Sequence, residues 1–284
     1  NFYDHLVRGS VNPNIALYFS RMGGGRKRKA AVANTDPQPR RQRRSSSHRN
    51  SSSEMWGGSG SGSSRRKGGS SSRGGSHRSG GSSSNINEAA AAKIFANIAD
   101  ADDPSVASME GISKLCEDLG IDPMEDVRIL VLLWKMGANR NPAQINKDEW
   151  IQGCTKLQTD SIDKLKSLLP SLDTGFLDQT EFKDFYKFCF QFNREGTHRT
   201  LDKDLVIMIL QMVLKDRIAS DRLSTFTTFL EQSKDESYSR ITLDQWTSFL
   251  DFCYECEDIS DYDEATSAWP VLIDEYVEYM ETQK

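Results

Sequence analysis

The chain has 284 residues, with 36 Lys and Arg against 41 Asp and Glu, a formal balance of −5. That average conceals two segments: residues 1–85 carry 16 basic against 3 acidic side chains (+13), and residues 86–284 carry 20 against 38 (−18). "IALYF" is far too short to span a bilayer and no secretory signal is evident, so the membrane and secreted classes are set aside.

Residues 1–21 precede the first methionine with a sensible continuation, Met22, and carry no weight in predicting the fold. "MGGGRK" has the start of a myristoylation motif, but Lys27 stands where Ser or Thr is required. Arg26, Lys27, Arg28 and Lys29 form one basic cluster, and Arg40, Arg41, Arg43 and Arg44 form a second, with ten residues between them. The spacing resembles a bipartite nuclear import signal. A solvated charge run or general nucleic-acid affinity remains open from composition alone. Residues 45–84 are mostly Ser and Gly with scattered Arg. They offer little apolar surface to offset the entropy of ordering, so 1–85 is predicted to be a disordered basic tail. An RNA-associated role for it is a further alternative, though it lacks aromatics for base stacking.

Residues 86–284 form the predicted domain, long enough for one core or two closely packed halves. Helical patterns follow one another and no convincing strand interrupts them. "INEAAAAKIFANIA" is Ala-rich, and "MEGISKLCEDLG" stops at Gly120, a good C-terminal cap. "MEDVRILVLLWKMGA" is apolar through its middle and predicts a central buried helix. "NKDEWIQGCTKL" opens on Asn146 with Glu149 three residues on. "DQTEFKDFYKFCFQFN" stacks aromatics at helical spacing, and "LDKDLVIMILQMVL" and "LSTFTTFLEQS" follow. "TLDQWTSFLDFCYEC" begins with a capping box, Thr242 to Gln245, and the last helix is predicted from near Pro270 to about Thr282.

"KDEWIQGC" and "LDQWTSFL" both open on Asp-x-Trp, which suggests paired helix-loop-helix units of EF-hand type. The calcium loop code is not met: "LDTGFLDQTEF" has its Gly two residues after Asp173, and "ADADDPSVASMEG" lacks the central Gly. No metal site is therefore predicted, and a calcium sensor stands as the alternative function. Catalytic equipment is also missing from the pattern. The domain has one histidine, His198, in a loop, and "CYEC" (Cys253, Cys256) has no second ligand pair. On a helix, one of those cysteines is expected to pack and the other to face outward. With Cys116, Cys154 and Cys189 they read as reduced thiols of an intracellular protein. No phosphate loop, dinucleotide fingerprint or nucleophile elbow is present. A binding protein without cofactor or catalytic residues is the expectation.

In the last helix Ile273, Tyr276, Val277 and Met280 make the buried stripe and leave Asp274, Glu275, Glu278 and Glu281 outside. Asp274 and Glu278 are like charges at i, i+4, a cost of about a few tenths of a kcal/mol. A helix start tolerates acids, so the carboxylates are explicable as structure or as a surface awaiting a basic partner.

"YDEATSAWPVLIDEYVEYM" closely resembles the C-terminal signature of the defective-in-cullin-neddylation family, the potentiating-neddylation (PONY) domain. "LCEDLGIDP", "DSIDKLKSLLP", "FKDFYKFCFQF" and "LDQWTSFLDF" resemble the same family in the same order, over about residues 86–282. The resemblance implies an all-helical domain of EF-hand-like units without calcium sites. It also implies a scaffold-type co-ligase that forms no thioester itself. Its partners would be a cullin C-terminal winged-helix domain, the N-acetylated neddylation conjugating enzyme and the cullin-associated RING protein. The cullin-facing patch would be Asp244, Ala268 and Asp274. The pocket for the acetylated methionine would be Ile112, Ile129, Leu132, Leu133, Met136, Phe192, Ile209 and Met212. With the basic tail, nucleus and cytoplasm are the expected locations.

Overall fold

A computed structural model describes residues 86–263 and 268–283 of the chain, so the tail and its two basic clusters lie outside the described residues. Among the described residues the domain is all-helical, with ten α-helices and four strands of three residues each. The first half holds α1 (Glu88–Ile98), β1 (Val106–Ser108), α2 (Met109–Leu119), α3 (Arg128–Met136), β2 (Gln144–Asn146) and α4 (Lys147–Leu157). A short helix α5 (Ile162–Leu168) and two 3-10 turns lead to the second half. That half holds α6 (Gln179–Phe192), β3 (Thr200–Asp202), α7 (Lys203–Leu214), α8 (Ser220–Gln232), β4 (Arg240–Thr242) and α9 (Leu243–Glu255). The final helix α10 (Val271–Thr282) closes the domain.

The helix boundaries follow local chemistry. Asn87 Oδ1 accepts from Ala90 N–H at 3.1 Å, and Asp178 Oδ1 accepts from Thr180 and Glu181 N–H at 2.8 Å each. Thr242 and Gln245 make the capping box read from the sequence, with bonds of 2.9 and 3.2 Å. Gly137 ends α3 in the left-handed region (φ 82°), where a residue without Cβ is unstrained. One helix is shorter than predicted. α3 begins at Arg128 because Asp122 and Asp126 fold the preceding residues into their own turn. Asp122 accepts from Met124 N–H at 2.7 Å, and Asp126 accepts from Arg128 N–H at 3.1 Å and from its guanidinium at 2.8 Å.

The strands, unread from sequence because three residues carry no usable period, join the loops in pairs. β1 runs antiparallel to β2 with Ala107 opposite Ile145, and β3 antiparallel to β4 with Leu201 opposite Ile241. All four of these central residues are buried. Each half is thus two helix-loop-helix units clasped at their loops, as the two Asp-x-Trp openings suggested.

The two tryptophans perform one job twice. Trp150 of α4 donates its indole N–H to Ala91 O of α1 at 2.9 Å, across 59 residues. Trp246 of α9 donates to Tyr186 O of α6 at 3.0 Å, across 60 residues. Tyr186 returns its hydroxyl to Trp246 O at 3.0 Å, and the two rings stack at 4.4 Å. Both indoles are buried, so each bond closes a half without leaving a polar atom unpaired. Trp246→Phe keeps most of the packing but removes a buried hydrogen bond that closes the half. It is expected to lower stability by about 1–2 kcal/mol, read as a lower denaturant midpoint with an unchanged slope.

The halves meet through α3 and α6, where Trp134 lies on Phe185 at 5.7 Å and donates to Asp184 at 2.9 Å. This junction places the first candidate site.

Candidate functional site

An apolar pocket opens where α2 and α3 of the first half face the end of α6 and α7 of the second. Ile112, Ile129, Leu133, Phe192 and Ile209 are buried in its walls with Leu130. Met124, Leu205, Met208 and Met212 are half-buried around it, with Pro123 and Met109 completing the lining. Asn193 is the one polar side chain among these, and its amide donates to Cys189 O at 2.8 Å. Methionine is unbranched and polarizable, so a wall with four of them can adapt to an incoming apolar group.

Six of the eight residues predicted for an apolar pocket line this one: Ile112, Ile129, Leu133, Phe192, Ile209 and Met212. Leu132 and Met136 do not. Leu132 is entirely buried, and Met136 lies against α4, where a Cβ on Gly153 would sit 2.6 Å from its side chain. Because α3 is buried on nearly every face, its apolar pattern does not say which stripe faces the pocket. Met109, Pro123, Met124, Leu130, Asn193, Leu205 and Met208 also line it. Leu205, Ile209 and Met212 fall at i, i+4, i+7, a periodicity that marks one face of α7.

The second site is an acidic shoulder where the first turns of α9 and α10 adjoin. Gln245 of α9 and Leu272 of α10 border a common small cavity with Ile241. Asp244 is exposed in the first turn of α9, Ala268 is exposed just before α10, and Asp274 is half-buried in its first turn. Asp274 Oδ1 accepts the hydroxyl of Tyr262, which fixes the carboxylate's direction. The next residue, Glu275, is bonded to Tyr238 in the 3-10 turn before β4. Burial, reinforced by that carboxylate, pushes the Tyr238 phenol well above its ordinary value, so Tyr238 remains the donor at neutral pH.

Beneath the shoulder is an aromatic floor. Tyr276 contacts Phe226 edge-on at 5.0 Å and shares a 2.9 Å hydrogen bond with Thr225, and burial raises its phenol to about 12. Phe226 stacks on Phe249 at 3.6 Å. Trp269 and Tyr262 stand edge-on to Phe252 at 6.1 and 5.8 Å. The carboxylates thus project from a rigid base, with two helix N-termini stabilising them.

The remaining motifs do not assemble into a centre. Among the described residues no three His, Cys, Asp or Glu side chains converge as metal ligands. The loop carboxylates turn onto their own backbone: Asp100 accepts from Ser108 N–H at 3.1 Å, and Glu149 from Asn139, Arg140 and Asn146 N–H at 3.0–3.2 Å. Cys253 and Cys256 are both half-buried, where one inward and one outward were expected, because Cys256 is already the C-cap of α9. Burial holds the Cys253 thiol at about 12, far from thiolate formation at neutral pH. No described helix is long and apolar enough to cross a membrane.

The family model described as "Cullin binding" matches residues 164–279. DCN1-like protein 4 of Homo sapiens is 40% identical over 186 residues, which are 65% of this chain and 60% of that protein. DCN1-like protein 5 of Rattus norvegicus is 38% identical over 180 residues, 63% of this chain and 73% of that protein. DCN1-like protein 4 of Drosophila melanogaster is 34% identical over 191 residues, covering 67% and 74%. The chain therefore spans somewhat under two thirds of the human relative's length.

Proposed function

This chain belongs to the DCN1-like family of cullin-binding proteins, and from that premise we propose that it is a non-catalytic scaffold promoting cullin neddylation. The acidic shoulder of Asp244, Ala268 and Asp274 receives a basic face of the cullin's C-terminal winged-helix domain. The pocket between the halves receives the acetylated N-terminal methionine of the neddylation conjugating enzyme, and the cullin-associated RING protein completes the assembly. The domain performs no bond chemistry. It raises the rate by holding the charged enzyme near the acceptor lysine, converting a bimolecular encounter into a local one.

The observation that carries this reading is that one compact unit offers two chemically opposite surfaces. The pocket is apolar with a methionine rim, and the shoulder carries carboxylates on two adjoining helix starts. The basic clusters Arg26–Lys29 and Arg40–Arg44 support nuclear entry, so the scaffold acts in nucleus and cytoplasm. The direct test is calorimetric titration of the full chain with a cullin winged-helix domain. Saturable binding that weakens as salt rises is expected. A folded chain showing no heat of binding would remove the cullin from the proposal.

A further inference from the structure

Two large apolar side chains stand out in solvent among the described residues: Phe176, 73% exposed, and Val271, 65% exposed. Phe176 sits alone on a 3-10 turn. Val271 lies inside the acidic shoulder. It is the first residue of α10, three residues before Asp274 and three after the exposed Ala268.

Its backbone is held on both sides. Pro270 fixes the entry with φ −60°, Ile273 N–H donates to Pro270 O at 2.8 Å, and Leu272 and Ile273 are anchored in the core. The preceding Trp269 ring rests on Phe252. A β-branched side chain is a poor helix former, and folding gains little from one left in water at a helix start. The fold nevertheless presents it rigidly, with Asp274 and Glu275 following it on α10 and Asp244 on the adjoining first turn of α9.

We infer that Val271 is the apolar anchor of the shoulder, seated in an apolar recess that its partner rings with Lys and Arg. The inference rests on the cullin-binding reading and specifies the chemistry of the cullin surface that fits. An apolar centre inside a charged rim divides the labour. The carboxylates steer association and are screened by salt, whereas the desolvated anchor slows dissociation and is not.

The test compares full-length wild type, Val271→Ser and Asp244→Asn, each titrated with a cullin winged-helix domain at about 50 and about 500 mM salt. All three are expected to melt alike, because both altered side chains are exposed. Val271→Ser is expected to bind about tenfold more weakly at both salts, and Val271→Ile to bind as wild type. The deficit of Asp244→Asn is expected at low salt and to shrink at high salt. Wild-type affinity in Val271→Ser, or a deficit that salt erases, overturns the anchor and leaves the shoulder standing. Failure of wild type to bind overturns both.

Discussion

Asp274→Arg is expected to weaken binding to a cullin winged-helix domain by at least about 100-fold while the domain stays folded. Asp274 projects from the first turn of α10 and accepts from Tyr262. An arginine there loses one charge-assisted hydrogen bond and sets a cation at a helix N-terminus, together about 2 kcal/mol of stability. The aromatic floor of Tyr276, Phe226 and Phe249 is untouched, so the domain survives that cost. Binding suffers more, because attraction to a basic partner becomes repulsion within the contact. Calorimetry alongside thermal melting separates the two effects. A folded Asp274→Arg chain that binds like wild type would sink the assignment of this shoulder.

The second large effect is expected on the ligand side of the pocket. A peptide with the conjugating enzyme's N-terminal sequence should bind about tenfold more tightly when its methionine is acetylated, measured near pH 7. No carboxylate lines the pocket, whose lining is apolar apart from the Asn193 amide. An ammonium entering it would lose its water without gaining a counter-charge. The free α-amine titrates near about 7.7–8.0. The pocket prefers the neutral form, so the unacetylated peptide should tighten as pH rises through that range and then level off. The acetylated peptide should show no such change. Equal affinities for the two peptides at neutral pH would contradict the pocket's proposed occupant.

How far these surfaces were legible in the sequence depends on how local their causes are. Helix ends were readable where a cap decides them, as at Gly120 and Thr242. The paired architecture was readable from two Asp-x-Trp openings, since each indole closes a half in the same way. The start of α3 was not, because two aspartates divert the chain into a turn that apolar periodicity does not register. The short strands were invisible for want of length. Helical period separates Asp274 from the buried stripe of Ile273, Tyr276 and Val277, but it leaves Glu275, Glu278 and Glu281 outside as well, and only the family resemblance singled Asp274 out. The pocket was harder. In α3 the stripe holding Ile129 and Leu133 is as apolar as the one holding Leu132 and Met136, and only the placement of α4 and α7 separates them. Val271 directly precedes the core residues Leu272 and Ile273, and an apolar residue at such a helix start reads as core until its exposure is known.

The central claim is that both surfaces act together on one reaction, and a reconstituted transfer assay tests it most directly. Conjugating enzyme already charged with the modifier is mixed with a cullin and its RING protein, with and without this chain, and the loss of the charged enzyme to the cullin is timed. Wild type is expected to accelerate transfer. Asp274→Arg, or an unacetylated conjugating enzyme, should each remove the acceleration without altering the basal rate. An unchanged rate in the presence of wild-type chain, at concentrations where both partners are bound, would contradict the account.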